Sequence, residues 1–391
     1  MSNIKRHRTS KFWRRVTHLL FIILLSLYVV QKSRPIFRFR KLRRFLPDMK
    51  HILLWHNISG MESTGQATFL KHKCHSSNCY FTSNRSLFGN LGYFDAILFS
   101  AQDISGGRGD LPTVRAPIQK YVFVANDSAD NYPVCDSMYD QFFNWTWTYK
   151  MDSSIPYTFF TVHNIQDEQL DGHFRWITNM TPIDEYMKNQ LATKAKAAAI
   201  FLDKCKSRSK REGYIENLKW QLSKYKLNID VYGDCGKKKC RKVNMAGCFW
   251  RLKKYYYFYL AMEDSLSPNY ITQEVLYAYD NYAVPIVYGG AQYSSILPPN
   301  SYLNAIQLNE EMLARKMNDI IKNRTLYYDY FRWSNHYIIK GTKNLDPCAL
   351  CKALNNRHWL TFRTRNIKFR QWWNPYYKTR CSESSIWHTY H

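Results

Sequence analysis

An α/β fold in two domains, carried behind a single N-terminal transmembrane helix, is what the sequence predicts, and three observations predict it. Residues 253–290, KKYYYFYLAMEDSLSPNYITQEVLYAYDNYAVPIVYGG, contain two apolar runs, 255–262 and 283–288, with the length and the aromatic or β-branched content of buried strands. Between them, 269–280 lacks Gly and Pro and is long enough for a helix of about three turns. The order strand, polar loop, helix, strand is half of a nucleotide-binding sheet. A length of 391 residues provides for two cores. Finally, residues 16–31, VTHLLFIILLSLYVVQ, run uncharged between Arg14-Arg15 and Lys32.

Aromatic residues at 16% and a hydrophobic share of 45% argue for a folded, enzyme-sized protein. The net charge of +26 raises nucleic acid as a partner. No zinc-finger, homeodomain or RRM spacing accompanies it, and the basic residues are spread along the chain, so nucleic acid is set aside. A nucleotide diphosphate, an acidic membrane surface or acidic glycans suit the charge as well.

The uncharged run is slightly short for a bilayer span, and a poor cleavage site at 31–35 favours an uncleaved signal anchor over a signal peptide. This gives a cytoplasmic tail at 1–15, the span at 16–31 and a basic stem at 32–50. Six Lys/Arg precede the span and seven follow within 32–44, so charge does not set its orientation. The lumenal expectation comes from elsewhere. N-x-S/T acceptors occur at Asn57, Asn84, Asn126, Asn144, Asn179 and Asn323, and there are ten cysteines, an even number compatible with full pairing in an oxidising compartment. Cys74, Cys79, Cys235, Cys240, Cys348, Cys351 and Cys381 are disulfide candidates. Zinc at Cys348/Cys351 with Cys235/Cys240 is the competing reading, weakened by irregular intervals. The connectivity stays open.

The first domain, 51–190, opens with a buried strand at 51–55, followed by strands at 94–99 and 115–124. A helix-prone stretch at 184–199 bridges to the second domain, 191–391. That domain begins with a strand at 197–202. A helix follows, because Tyr214, Leu218 and Leu222 recur at four-residue spacing, and then a strand at 228–233. After residues 253–290, Gly289-Gly290 and the Pro298-Pro299 loop close the site, and 309–322 is helical. Ligands of such sheets sit beyond the carboxyl ends of the strands, near helix N-termini that favour anions, which places the candidate site at 263–268.

Four phrases carry a resemblance. Tyr257-Phe-Tyr-Leu-Ala-Met-Glu-Asp-Ser265 resembles KFYLAFENS, Asn269-Tyr-Ile-Thr-Gln-Glu274 resembles DYVTEK, and Val284-Pro-Ile-Val-Tyr-Gly289 resembles VPVVYG. Residues 143–157, FNWTWTYKMDSSIPY, are similar to FNWTMTYRRDSDIPxPY. In this order they mark the Golgi α1,3-fucosyltransferases, glycosyltransferase family 10, over about residues 50–355. The resemblance implies a GT-B-like fold of two Rossmann-like domains facing a cleft. It also implies a type II Golgi membrane protein with its catalytic domain in the lumen. The implied reaction is transfer of L-fucose from GDP-fucose, with inversion, to a sugar hydroxyl of glycoprotein glycans, α1,3 to GlcNAc. No cofactor is required, with divalent cations at most a non-essential stimulant, and the chain has no Asp-x-Asp pair to hold a metal. Lys, Arg and helix N-termini would then meet the leaving-group charge. The oligomeric state is open.

Carried over residue by residue, the donor site comprises Arg211, which falls on the family's diphosphate-binding Arg, with Glu263, Asp264, Tyr270, Thr272, Gln273 and Glu274. Three positions depart. Gln273 and Glu274 stand where the family has Glu and Lys, with Lys210, Lys253 or Lys254 as candidate compensators. Asn126 stands where the family's base is expected, so that Asp127 becomes the candidate base. Two readings follow: a fucosyltransferase with altered donor contacts, or a catalytically impaired relative that binds glycans or a partner protein.

Overall fold

The computed structural model describes residues 19–23, 25–26 and 48–387, except 59, 63, 108–109, 171–173, 241–244, 343–344 and 362–367. The chain divides into two units, Met1–Pro47 and Asp48–His391. In the first, residues 19–23 and 25–26 are helical and exposed. The expected tail, most of the stem and the remainder of the span at 16–31 lie outside the described residues. Among the described residues no helix is long and apolar enough to cross a membrane.

The second unit contains two parallel sheets. One runs β2-β1-β3-β4-β5-β6, from β1 (Lys50–Leu54), β2 (Cys79–Thr82), β3 (Ala96–Ser100), β4 (Lys120–Ala125), β5 (Trp145–Thr148) and β6 (Ile155–Pro156). The chain then forms β7 (Phe160–Asn164) and α1 (Glu185–Leu191). A second sheet runs β12-β11-β10-β8-β9, from β8 (Lys196–Phe201), β9 (Ile229–Tyr232), β10 (Tyr256–Met262), β11 (Val284–Tyr288) and β12 (Leu303–Asn304). The near-continuous apolar strands reflect burial on both faces, as parallel sheets require. In β10 every residue but Tyr257 is buried.

In the second sheet, α2 (Arg211–Ser223) buries Ile215, Leu218 and Leu222 against one face. Tyr214 is half-buried beside them. The helix α3 (Ala246–Tyr255) leads into β10, α4 (Glu274–Tyr279) joins β10 to β11, and α5 (Glu310–Lys322) packs with α2. The predicted helix at 269–280 is shorter than its composition allowed. Asn269 takes a left-handed φ of 66°, and the Thr272 amide is claimed by the Glu263 carboxyl, so 269–273 form a turn and α4 starts at Glu274. Likewise the helical stretch expected over 184–199 stops at Leu191, since Lys196–Phe201 pairs into the sheet.

The C-terminal end crosses the expected boundary at 191. An antiparallel pair, β7 with β13 (Tyr337–Gly341), joins the halves. Then α6 (Pro347–Asn355) buries Leu350, Cys351 and Leu354 against Ile52, Leu98, Val122 and Trp147 of the first sheet. The helices α7 (Phe369–Trp373) and α8 (Tyr377–Trp387) follow, with Phe369 and Trp373 buried against Phe123 on the other face. Residues 345–354 and 369–373 therefore pack in the core around the first sheet, not the second. Five disulfides pair all ten cysteines: Cys74–Cys348, Cys79–Cys351, Cys135–Cys381, Cys205–Cys235 and Cys240–Cys248. Three of them attach the returning segment to the first sheet's half. Zinc at Cys348/Cys351 is thereby excluded.

Candidate functional site

Each sheet delivers a loop from the carboxyl end of a central strand, and the two loops touch. From β4 come Asn126 to Asn131; from β10 come Glu263 to Gln273. The Asp127 Oδ1 accepts from the Tyr270 hydroxyl at 3.2 Å, from the Asn131 Nδ2 at 3.0 Å and from the Ser128 amide at 2.5 Å. The same Asn131 Nδ2 donates to Asp264 Oδ1 at 3.1 Å, so one amide group ties the two carboxylates. Further along, the Asp130 amide donates to Ser267 Oγ at 3.0 Å. These bonds to Asp127 all fall on Oδ1.

Sequence reasoning placed Asp127, Asp264 and Tyr270 in one site, and the structure brings them together. Asn126 is exposed at the rim and Asp127 turns inward. Asn131 and Lys204 were missed, and Ser267 was included only as part of the loop 263–268. Lys204 Nζ donates to Asp264 Oδ2 at 3.1 Å. Burial works against its charge, but Asp264 beside it, with Asp127, more than offsets this and lifts its pKa above the ordinary value. A signal for Lys204 existed in the basic stretch 204–211 at the end of β8. None pointed to Asn131.

Glu263 is buried, and its Oε1 accepts from the Thr272 amide at 2.7 Å and Thr272 Oγ1 at 3.1 Å. Both residues therefore shape the turn that presents Tyr270. Burial pushes the Glu263 pKa up to about 8; the Thr272 donors oppose the shift, and Glu274 and Asp264 add to it. Tyr270 is itself buried, its ring against Tyr149 at 5.0 Å, and the Tyr149 hydroxyl accepts from the Ala129 amide at 3.0 Å.

The remaining donor candidates sit differently. Gln273 is exposed and donates to the Tyr277 hydroxyl at 3.1 Å. Glu274 is half-buried, and its Oε2 accepts from the buried Tyr259 hydroxyl of β10 at 2.5 Å. Arg211, first residue of α2, donates to the Met262 carbonyl, with Glu212 at 3.8 Å from its Nε. Lys210, in a left-handed conformation just before it, is exposed at the same end. Lys253 and Lys254 lie at the end of α3, at the amino end of β10. They are about 20 Å from the candidate loop at ~3.3 Å per strand residue and do not compensate for Glu274.

Next to the junction, a cavity of about 230 Å³ is lined by Tyr149, Tyr157, Phe159, Phe174, Asn269 and Ile271, among others. Tyr149 is common to this cavity and to the wall behind Asp127. Among the described residues no group of three His, Cys, Asp or Glu side chains is placed to hold a metal ion.

Comparison with known proteins assigns the chain. The model of the fucosyltransferase N-terminal domain matches residues 47–160, and that of the glycosyltransferase family 10 (fucosyltransferase) C-terminal domain matches 191–372. The chain belongs to glycosyltransferase family 10. Within this family it is divergent. It is 28% identical over 332 residues to α-(1,3)-fucosyltransferase C of Drosophila melanogaster, covering 84% of this chain and 74% of that protein. To glycoprotein 3-α-L-fucosyltransferase A of the same organism it is also 28% identical, over 83% of this chain and 60% of that protein's length. A crystal structure of an α1,3-fucosyltransferase with GDP aligns over 81% of this chain and 92% of its own, at a TM-score of 0.48 and 13% identity.

Proposed function

We propose that this family 10 protein is an inverting α1,3-fucosyltransferase of the GT-B type, moving L-fucose from GDP-fucose to a GlcNAc hydroxyl of a glycoprotein glycan. The observation that carries the reading is the junction of Asp127 with Tyr270 and, through Asn131, with Asp264. It sets a candidate base from one sheet against the candidate donor loop of the other. Asp127 Oδ2 takes the proton from the acceptor hydroxyl as its oxygen bonds to C1 of fucose and GDP departs from the opposite face. Lys204, Lys210, Arg211 and the N-terminus of α2 meet the charge on the leaving diphosphate. For Arg211 this requires exchanging the Met262 carbonyl for phosphate. The same protein acts in the Golgi lumen as a type II membrane protein, with residues 16–31 as anchor. Five disulfides and six acceptor asparagines support an oxidising secretory compartment.

The experiment is calorimetry of GDP-fucose binding in EDTA, followed by transfer assays on a panel of GlcNAc-containing acceptors. Chelator-insensitive binding that is lost in Arg211→Ala, with transfer lost in Asp127→Asn, is the expected result. A folded, disulfide-bonded protein that binds no GDP-fucose overturns the reading. The chain would then be a glycan- or partner-binding relative, as the tied Arg211 and the departures at Asn126, Gln273 and Glu274 favour.

A further inference from the structure

We propose that the C-terminal hairpin of α7 and α8 is a brace for the loop that carries Asp127, with Arg380 and Asn374 as positioning residues for transfer. The proposal rests on the assignment of Asp127 as the base. Its own basis is a set of contacts that converge on residues 129–135.

Arg380 Nε donates to Asp130 Oδ1 at 3.0 Å and Nη2 to Oδ2 at 3.4 Å, a two-point grip on a carboxylate that is buried. Asn374 Nδ2 donates to the same Oδ1 at 3.1 Å and to the Ala129 carbonyl at 3.0 Å. Trp373 Nε1 donates to the Tyr132 carbonyl at 2.9 Å. Cys381, next to Arg380, is bonded to Cys135 just past the loop, and Arg370 reaches the Cys135 carbonyl at 3.0 Å. Asn374 and Trp373 are buried, so these are not surface contacts that solvent could replace.

Asp130 is the hub. Its side chain belongs to the hairpin, while its backbone amide donates to Ser267 of the donor-side loop. Pulling on Arg380 therefore moves Asp130 against Ser267 and, three residues back, Asp127 against Tyr270. Removing the guanidinium would leave the Asp130 charge buried with less compensation, which the loop relieves by moving outward. The matched part of the family C-terminal domain ends at residue 372, so Trp373, Asn374, Arg380 and Cys381 all lie beyond it.

The test compares parent, Arg380→Ala, Arg380→Lys, Asp127→Asn and Asp127→Asn/Arg380→Ala in the full chain, with transfer kinetics, GDP calorimetry and amide hydrogen exchange. For Arg380→Ala, kcat is expected to fall by about a hundredfold while the Kd for GDP stays within about twofold. Exchange at residues 127–132 is expected to quicken by about tenfold, with β10 unchanged. Arg380→Lys recovers part of kcat. In the Asp127→Asn background the same Arg380→Ala change costs less than about threefold, because a residue acting through Asp127 has nothing left to place. Should Arg380→Ala not fold, Asn374→Ala takes its place in the cycle.

Parental kcat in Arg380→Ala, an equal fold loss in both backgrounds, or unaltered exchange at 127–132 would each overturn the brace. The assignment beneath it fails separately. An inactive parent, or one indifferent to Asp127→Asn, overturns the base assignment, and the exchange result then decides alone whether the hairpin holds the loop.

Discussion

Glu263 and Asn131 show how much of this site is set by single side chains that no phrase of sequence advertises as polar connectors. The folded pKa of Glu263, about 8, stands above the ordinary 4.5. A carboxyl raised in this way binds a proton in the native chain that the unfolded chain releases between those values. Its contribution is fully present below about pH 4.5 and is lost as the pH rises toward about 8. Glu263→Gln keeps an oxygen for the Thr272 donors and removes the titration. The Tm difference between variant and parent should therefore shift in favour of Gln between about pH 5 and about pH 8; a difference constant with pH would refute the assignment. Asn131 makes the complementary case. Its one amide nitrogen holds Asp127 and Asp264, so Asn131→Ala should lower kcat by about tenfold with GDP affinity retained, as steady-state kinetics and calorimetry would show. The sequence exposed Asp127 and Asp264 through their place in strand-end phrases. Asn131 lies in a loop, where nothing periodic marks it.

The β10–α4–β11 element was legible because its pattern is local. Two apolar strands, with a stretch free of Gly and Pro at 269–280 between them, are visible at the level of residues, and both strands lie within one residue of their expected bounds. What was not legible is where side chains point. The charge of Glu274 looked hostile to a phosphate, yet one of its oxygens is bonded by the buried Tyr259 hydroxyl. Lys253 and Lys254 looked available, yet chain direction puts them at the wrong end of β10. The glycines after β11 were expected to close the site, and the geometry gives the reason. A Cβ on Gly290 would lie 2.2 Å from the Leu266 carbonyl oxygen and 2.3 Å from that of Ser267, both backbone atoms with no room to yield. Gly290→Ala should therefore cost roughly 1–3 kcal/mol and weaken GDP binding, because the donor loop must lift away. Gly213→Ala, in α2 with nothing within 4 Å, is the control. It should add roughly 0.5–1 kcal/mol of stability instead. Urea midpoints of the two variants test both signs; equal effects would refute the close-approach argument.

The course of the whole chain was the least legible feature, because a segment's return to a distant sheet leaves no trace in its own periodicity. Residues 345–354 and 369–373 read as an extension of the second domain, and they pack on the first sheet. Even the cysteine count, which predicted full pairing, was silent on partners, and the partners carry the topology: Cys74–Cys348 and Cys79–Cys351 span 274 and 272 residues. Closing a loop of that size restricts the unfolded chain by roughly 5 kcal/mol on the chain-entropy account. The second bond, whose ends lie five and three residues from those of the first, adds far less. The apolar contribution is separate, since Leu350 and Leu354 are fully buried among Ile52, Leu98 and Val122. A chain ended after Gly341 loses both contributions on the first sheet and neither on the second. Hydrogen exchange should then show β1 to β5 unprotected while β8 to β11 keep their protection. The unequal result is the decisive one: uniform loss would mean that the two sheets fold as a single unit, and uniform retention would mean that α6 only decorates a sheet stable without it. The same logic separates the two kinds of C-terminal attachment. The α6 helix is bonded into the core of the first sheet, so its removal is expected to unfold that sheet. The α8 helix is tied through Arg380 to Asp130 of the loop bearing Asp127, so loosening that grip by Arg380→Ala should leave both sheets protected and take away only the fixed position of the base.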